Sequence, residues 1–386
     1  MEITKEKACL CALNRIFGFN PKIGLAMLSE LGSAEDIFNL DKKDLDQLLG
    51  PFSRYKDSMT WSNVEKAAGE LETMSRKGTR FTGWSEPGYP ELLKSCEDPP
   101  VGLYIRSRTP DQELWGKRRM IAVVGTRDLS PYGREWCSRI IRRLGSAEEK
   151  PAVVSGLAIG TDICAHRTAL DSGLPTIAVM ATGPDTVYPI RHTDFAEKLC
   201  HTPGCALVTD YPPGTAPLPV NFLRRNRIIA GLSEATVLIE SRIKGGGMMT
   251  SNLAFSYGRE VYAVPGRIDD IGSQGCNRLI RNKVAEAVTG EDELLESLGF
   301  RPGTRRNVSD RERIQKVYEG SLSANRLEAM TGILMTIRKK RGITVEYLAA
   351  ENGLEYQEAA MLTGLLESDG MISIDLLQRC CINAGK

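Results

Sequence analysis

The sequence predicts an α/β protein: a largely parallel sheet covered by helices, preceded by a small helical domain and followed by a helix–turn–helix domain. Three observations carry this. From residue 118 onward, the apolar runs "MIAVVG", "PAVVSG", "PTIAVMATG", "CALVTDYP", "ATVLIES", "EVYAVPG" and "AEAVTG" alternate with helical periods. Such alternation marks parallel strands buried on both faces. Each run is followed by a glycine-bearing loop, and 386 residues exceed what one compact core holds, so two or three domains are expected.

Residues 1–75 read as short helices, "KEKACLCALNRI", "PKIGLAMLSEL", "AEDIFNL" and "LDQLLG", separated by Gly and Pro. The stretch "FGFNPKIGLAMLSELGSAEDIF" resembles a helix-hairpin-helix or SAM-like unit, a module that serves DNA backbone contact in some proteins and packing in others. Residues 76–117 add a strand or two, and the sheet domain runs over 76–300. The polar stretch 301–325 is expected as a linker. Residues 326–386 read helix, turn, helix and short strand at winged-helix spacing, with Glu355–Ser368 as the second helix. That helix carries Glu355, Glu358 and Glu367 and no Lys or Arg, so it should repel phosphate and serve protein contact or packing.

Hydrophobic residues make up 41% and charged residues 26%, and the formal net charge is +1, so affinity for an anionic polymer must come from local patches. The N-terminal stretch has charges in its first turns and no apolar signal region, and no run of 18 apolar residues occurs; a cytoplasmic protein without membrane association is expected. The ten cysteines include an adjacent pair, Cys380–Cys381, and a "CLC" without a second ligand pair, which points to reduced thiols and no metal.

In an open parallel sheet, ligands bind at the carboxyl ends of the strands. The loops at that edge are Gly125, Thr126 and Arg127; Ser155 to Asp162, including Gly156, Gly160 and Thr161; Thr182 to Asp185; and Lys244, Gly245, Gly246 and Gly247. Glycines at helix starts let a phosphate approach unpaired N–H groups and the positive end of the dipole. Thr161, Thr250, Ser251 and Asn252 are candidates for capping or for phosphate contact, although tight turns alone would also use such glycines. No G-x-x-x-x-G-K-[ST] occurs, and Arg127 stands where a dinucleotide motif needs glycine, so no nucleotide cofactor is expected.

Within "VNFLRRNRIIAGL", Arg224, Arg225 and Arg227 are placed at a helix start, where cations oppose the dipole and call for an anion. Lys244, Arg278, Arg281 and Lys283 are expected on or near the same edge. Phe222, Tyr188 and Tyr211 are aromatics for either base stacking or the core. Asp162 and His166, four apart, suit an acid/base pair or a structural role. No nucleophile elbow or paired catalytic carboxylates emerge.

Taken in order, "VVGTRDLSPYG", "VVSGLAIGTDICAHRTAL", "TIAVMATGPDTVYPIRH", "FLRRNRIIAGLSEATVLIES", "GREVYAVPG" and "SQGCNRLIRNK" closely resemble the DNA-processing protein A (DprA) family over residues 80–290. The resemblance implies an extended Rossmann-like fold that binds and protects single-stranded DNA, forms a homodimer and helps load RecA recombinase in natural transformation and recombination. It implies DNA contact at Arg127, Ser155, Gly156, Gly160, Arg225, Asn226, Arg227 and Lys244–Gly247. Two departures stand out: the family usually shows Ser-Gly-Ser at Gly245–Gly247 and often Ile-Asp at Thr161-Asp162. A binding protein rather than an enzyme is thus expected, its DNA-contacting set completed by Gly125, Thr126, Thr161, Phe222, Arg224, Thr250 and Lys283. The alternative, a nucleotide phosphoribohydrolase, needs a Glu soon after a "PGGxGTxxE"-like loop, and none occurs here before Glu260.

Overall fold

Caps set the first helices. In the computed structural model, which describes residues 3–116, 118–302, 310–318, 320–340, 342–375 and 378–382, α1 (Lys5–Phe17) starts where the Thr4 hydroxyl accepts from the Lys7 N–H. Pro at the first position opens α2 (Pro21–Leu31), and left-handed Gly32 closes it. Ser33 caps α3 (Ala34–Asn39) and Asp41 caps α4 (Lys42–Leu49). A helix the sequence reading did not single out, α5 (Trp61–Arg76), completes this region.

These helices share a core with the sheet. Leu10, Leu13 and Phe17 of α1 pack in one cluster with Phe81, Val101 and Tyr104, which lie in or beside the strands β1 (Thr79–Gly83) and β2 (Gly102–Arg106). Buried Asn14 donates to the Asp210 carbonyl at 2.8 Å and accepts from the Gly102 N–H at 3.1 Å. Residues 1–302 accordingly form one compact unit, and the boundary expected near residue 75 does not separate independent bodies.

After two short helices, α6 (Glu91–Lys94) between β1 and β2 and α7 (Asp111–Trp115) beyond them, strands and helices alternate: β3 (Met120–Val124), α8 (Pro131–Gly145), β4 (Ala152–Ser155), α9 (Thr161–Asp171), β5 (Thr176–Val179), α10 (Thr193–His201) and β6 (Ala206–Thr209). The second half continues with α11 (Pro219–Leu232), β7 (Ala235–Leu238), α12 (Gly246–Ser256), β8 (Glu260–Ala263), α13 (Gln274–Arg281), β9 (Glu286–Ala287) and α14 (Glu291–Ser297). All seven apolar runs are strands. Their order is β1-β2-β6-β5-β4-β3-β7-β8-β9, with β3 to β9 parallel and β2 antiparallel to both neighbours. Ala122 and Val124 face one core with α11, α12 and α13, and Ile121 and Val123 face the other with α8 and α9, which is why these strands read as continuous apolar runs.

The chain winds from β3 outward to β6, then returns to the other side of β3 as β7. The crevice between the carboxyl ends of β3 and β7 is the topological switch point of the sheet.

Residues 303–386 form a second unit. It holds α15 (Asp310–Tyr318), α16 (Ala324–Lys339), α17 (Val345–Glu351) and α18 (Tyr356–Ser368) with the strands β10 (Ile343–Thr344), β11 (Ile372–Ile374) and β12 (Arg379–Ile382), ordered β10-β12-β11. The expected second helix is α18. The expected linker is in part structure: Ile314 and Tyr318 of α15 belong to this unit's core, and the Tyr318 hydroxyl donates to the Leu365 carbonyl at 3.1 Å. Residues 303–309 and 319 of that linker lie outside the described residues. Among the described residues, no helix is long and apolar enough to cross a membrane.

His166 shows how tightly α9 docks. Thr176 Oγ1 donates to the Val153 carbonyl at 2.8 Å, so it accepts from His166 Nδ1–H at 2.7 Å, and the ring is neutral. Burial, reinforced by the positive charge of Arg225, pushes the imidazole pKa down to about 3. The unfolded chain therefore binds a proton here, below its ordinary pKa of 6.5, that the folded protein refuses. Stability should fall as pH drops through that window. The melting temperature should decline less between about pH 6.5 and about pH 5 in His166→Asn, which keeps a donor to Thr176 without a titrating ring.

Candidate nucleic-acid interface

Three glycine loops meet at the switch point, and most of their glycines serve packing. The Thr126 N–H donates to the Glu240 carbonyl at 2.8 Å, and the Thr161 N–H and hydroxyl both reach the Thr126 carbonyl, at 3.0 and 3.1 Å. A Cβ on Gly125 would lie 2.4 Å from Thr161 Oγ1, and one on Gly247 would lie 2.6 Å from Leu238 Cδ1 and 3.1 Å from the Gly125 Cα. Gly160, at φ +81°, would place a Cβ 2.4 Å from the Thr126 carbonyl oxygen. A Cβ on Gly245 would likewise run into the Ser241 hydroxyl.

Gly246 differs. A Cβ there meets nothing within 4 Å, and the residue opens α12, whose first turn has no side-chain cap. Lys244 is exposed beside it. Thr250, Ser251 and Asn252, considered as caps, sit instead in the second turn: the Thr250 hydroxyl donates back to the Gly246 carbonyl at 3.4 Å and the Asn252 amide to the Met248 carbonyl at 2.8 Å. Thr250 is buried, so it offers nothing to a ligand.

The arginines of "FLRRNR" also move from their expected place. Because α11 starts at Pro219, they lie beyond its first turn, and the dipole argument does not apply to them. What they neutralise is internal. Arg225 is buried, and its Nη1 donates to the carbonyls of Gly156, at 2.6 Å, and of Val179. Gly156 lacks a Cβ for this reason, since one would stand 2.2 Å from Nη1. Burial lowers the Arg225 pKa to about 10, opposed by the Asp162 charge, so the guanidinium stays ionised at neutral pH. Arg227 is paired with Asp210 at 2.5 Å, each side chain 6% exposed. Asn226 Nδ2 lies 3.5 Å from the Gly246 carbonyl, tying α11 to the start of α12. Ser155 is buried with its hydroxyl donated to Val123 at 2.7 Å. Ser155, Gly156, Arg225 and Arg227 thus shape the edge from inside rather than facing solvent.

The exposed part of the edge is smaller. Arg127 is exposed, with its guanidinium 5.0 Å from the centre of the Phe222 ring. Phe222 meets Tyr188 edge-to-face at 5.5 Å, and Tyr188 is 46% exposed. Tyr211 is core, its hydroxyl turned to the Asn221 carbonyl at 3.3 Å. Two exposed cations escaped the sequence reading, Arg191 and Arg167. Both lie close enough to His192 to lower its pKa, although burial is the main cause. His192 Nδ1 is 2.8 Å from the Leu157 carbonyl, which pins the Arg191 turn to the second glycine loop. The signal was the "YPIRH" segment, noted for its family likeness but not for its arginine.

Lys283 does not belong here. It follows α13, which runs back from the switch point, and precedes β9, parallel to β8, so it lies toward the amino ends of the strands. Arg281 ends the same helix. Arg224 points away from Phe222, toward Gly18 and Phe19 of the helical region. Asp162 and His166 are both buried, the Asp162 carboxylate accepting from the Ala158 N–H at 3.2 Å, with its pKa raised by burial against the pull of Arg225. They are structural.

Cations, an edge-to-face aromatic pair and an open helix start at a switch point suit a flexible polyanion with planar groups. Residues 80–299, which contain every loop of this edge, match the model of the family described as DNA recombination-mediator protein A. The chain belongs to this family. Among relatives, a putative DNA processing protein DprA of Mycobacterium tuberculosis is 34% identical over 297 residues, 70% of this chain and 74% of that protein. A protein Smf of Synechocystis sp. is 35% identical over 250 residues, 65% of this chain; the match spans 60% of that relative's length. The solved DNA processing protein A of Streptococcus pneumoniae superposes with a TM-score of 0.63 at 28% identity, over 77% of this chain and 98% of its own. That of Helicobacter pylori, described for its single-stranded DNA binding mode, shares the fold at a TM-score of 0.50 and 24% identity, over 56% of this chain and 95% of its own.

The glycines of this family member's third loop make separable predictions. Gly247→Ala should lower thermal stability by about 1–3 kcal/mol, since the added carbon must displace Leu238 and the Gly125 backbone. Gly246→Ala should leave the melting temperature unchanged or raise it slightly, because its site is open and helical. Thermal denaturation of the two proteins checks both.

Proposed function

We propose that the chain binds single-stranded DNA without sequence preference along the carboxyl edge of its sheet, protects it, and passes it to RecA recombinase in transformation and recombination. The observation that carries the binding is the group of exposed Arg127 and Tyr188 around half-buried Phe222 at the switch point, beside Lys244 and the uncapped start of α12. Bases stack on the Phe222–Tyr188 platform, while phosphates meet Arg127, Arg191 and Lys244 and the N–H groups that open α12. The Ser-Gly-Ser usual in the family is replaced here by glycines, so backbone donors and Lys244 supply that contact. Membership of a recombination-mediator family supports the hand-over step. RecA and a second copy of this chain enter as partners through that family likeness.

A phosphate track releases counterions, so affinity should fall with salt with a log–log slope of about −0.7 per phosphate contacted. Arg127→Glu should weaken binding to all sequences alike and flatten that slope, because a positioning contact carries no base information. Fluorescence anisotropy with labelled oligonucleotides over a salt series reads both; a changed base preference at unchanged affinity would sink the assignment. A chain ending at Pro302 should keep most of its affinity, since α18 and its N-cap Glu355 together hold three carboxylates and no cation. A folded truncation that no longer binds in the same assay would contradict this.

A further inference from the structure

The first two turns of α11 carry the same device on both flanks. On one side Arg127 lies over Phe222; on the other the Arg224 guanidinium lies 4.0 Å from the centre of the Phe19 ring and donates to the Gly18 carbonyl. Between them Leu218, Val220 and Leu223 are exposed. Phe19 is itself 63% exposed, so with Arg224 against its ring it retains an open surface. Next to it, the Tyr55 hydroxyl accepts from Arg54 at 3.0 Å and from Asn20 at 3.2 Å, and the exposed Arg54 guanidinium sits 5.0 Å from the Tyr55 ring. The carboxylates whose charge reaches Arg224 are engaged elsewhere, Asp210 by Arg227 and Asp98 by the Tyr257 hydroxyl. What this flank presents to solvent is the open face of Phe19 and the exposed guanidinium of Arg54.

We propose that the single strand bound at the sheet edge continues across the first two turns of α11 onto the helical region, where a base stacks on Phe19 and a phosphate meets Arg54. The proposal rests on the single-strand reading above and adds a second stacking step to it. Its two platforms flank one helix, so at least a helix diameter of about 10–12 Å separates them, a gap that an extended strand crosses over the apolar ridge. Arg224 is a positioning residue: it holds the Gly18–Phe19 turn against α11 and one face of the ring in place. Phe19, Arg54 and the ridge all lie in the one compact unit of residues 1–302, so the path needs no hinge.

Oligothymidines of about 4 and about 16 nucleotides, spanning the range of single-strand site sizes, separate the two steps. In the full chain, Phe19→Ala should bind the short oligonucleotide as the parent does and the long one roughly tenfold more weakly or worse, the loss of one stacked base. Phe19→Trp should restore the long-oligonucleotide affinity. Since Phe19 is exposed, its melting temperature should match the parent's. Equal binding of parent and Phe19→Ala at both lengths overturns the proposal and leaves the ridge to a protein partner. An equal loss at both lengths also overturns it, placing Phe19 in the primary site. A parent that binds neither length removes the single-strand reading itself, which the other outcomes leave standing.

Discussion

A buried guanidinium organises the carboxyl edge. Arg225 reaches from α11 into the turn after β4 and donates to the carbonyls of Gly156 and Val179, joining a helix to the ends of two strands. Buried carbonyls at strand ends have no ladder partner, and leaving them unpaired costs about 1–3 kcal/mol each. The charge is tolerated because Asp162 lies nearby and because the carbonyl dipoles point at it. Gly156 follows from this arrangement, since any side chain there would occupy the guanidinium's place.

With α11 fixed in this way, the rest of the site is carried on its surface. Asn226 links the helix to the start of α12, and Arg227 locks its inner face to Asp210. Those internal bonds leave Phe222 and Arg224 to emerge on opposite flanks of the first two turns. The glycines of the three loops let neighbouring backbones touch, so the edge is dense rather than open. Gly246 is the exception, and it lies where an anion can reach the helix dipole.

The division between scaffold and contact was partly visible beforehand. Seven apolar runs gave seven strands because burial on both faces leaves no polar position to interrupt them. Helix–turn–helix spacing found α17 and α18 by their turn at Gly353. The arginines were harder. A run such as "RRNR" marks a need for negative partners, but those partners turned out to be carbonyls and a carboxylate of the protein, which lie 17 to 206 residues away in sequence. Lys283 was misplaced for a related reason: a loop's charge does not say at which end of a strand it lies.

The sequence by itself determined the class of fold, the order of its strands and helices, the family, and the loops that gather at one edge. Those properties depend on periodicity and on local backbone freedom, which short windows contain. Tertiary structure decided which cations are free. Arg127 and Lys244 face solvent while Arg225 and Arg227 do not, because exposure depends on what a helix packs against and no local pattern records that. It also decided that the helical region shares a core with the sheet, since Asn14 of α1 bonds to Gly102 and Asp210, residues the chain reaches only after it has folded back.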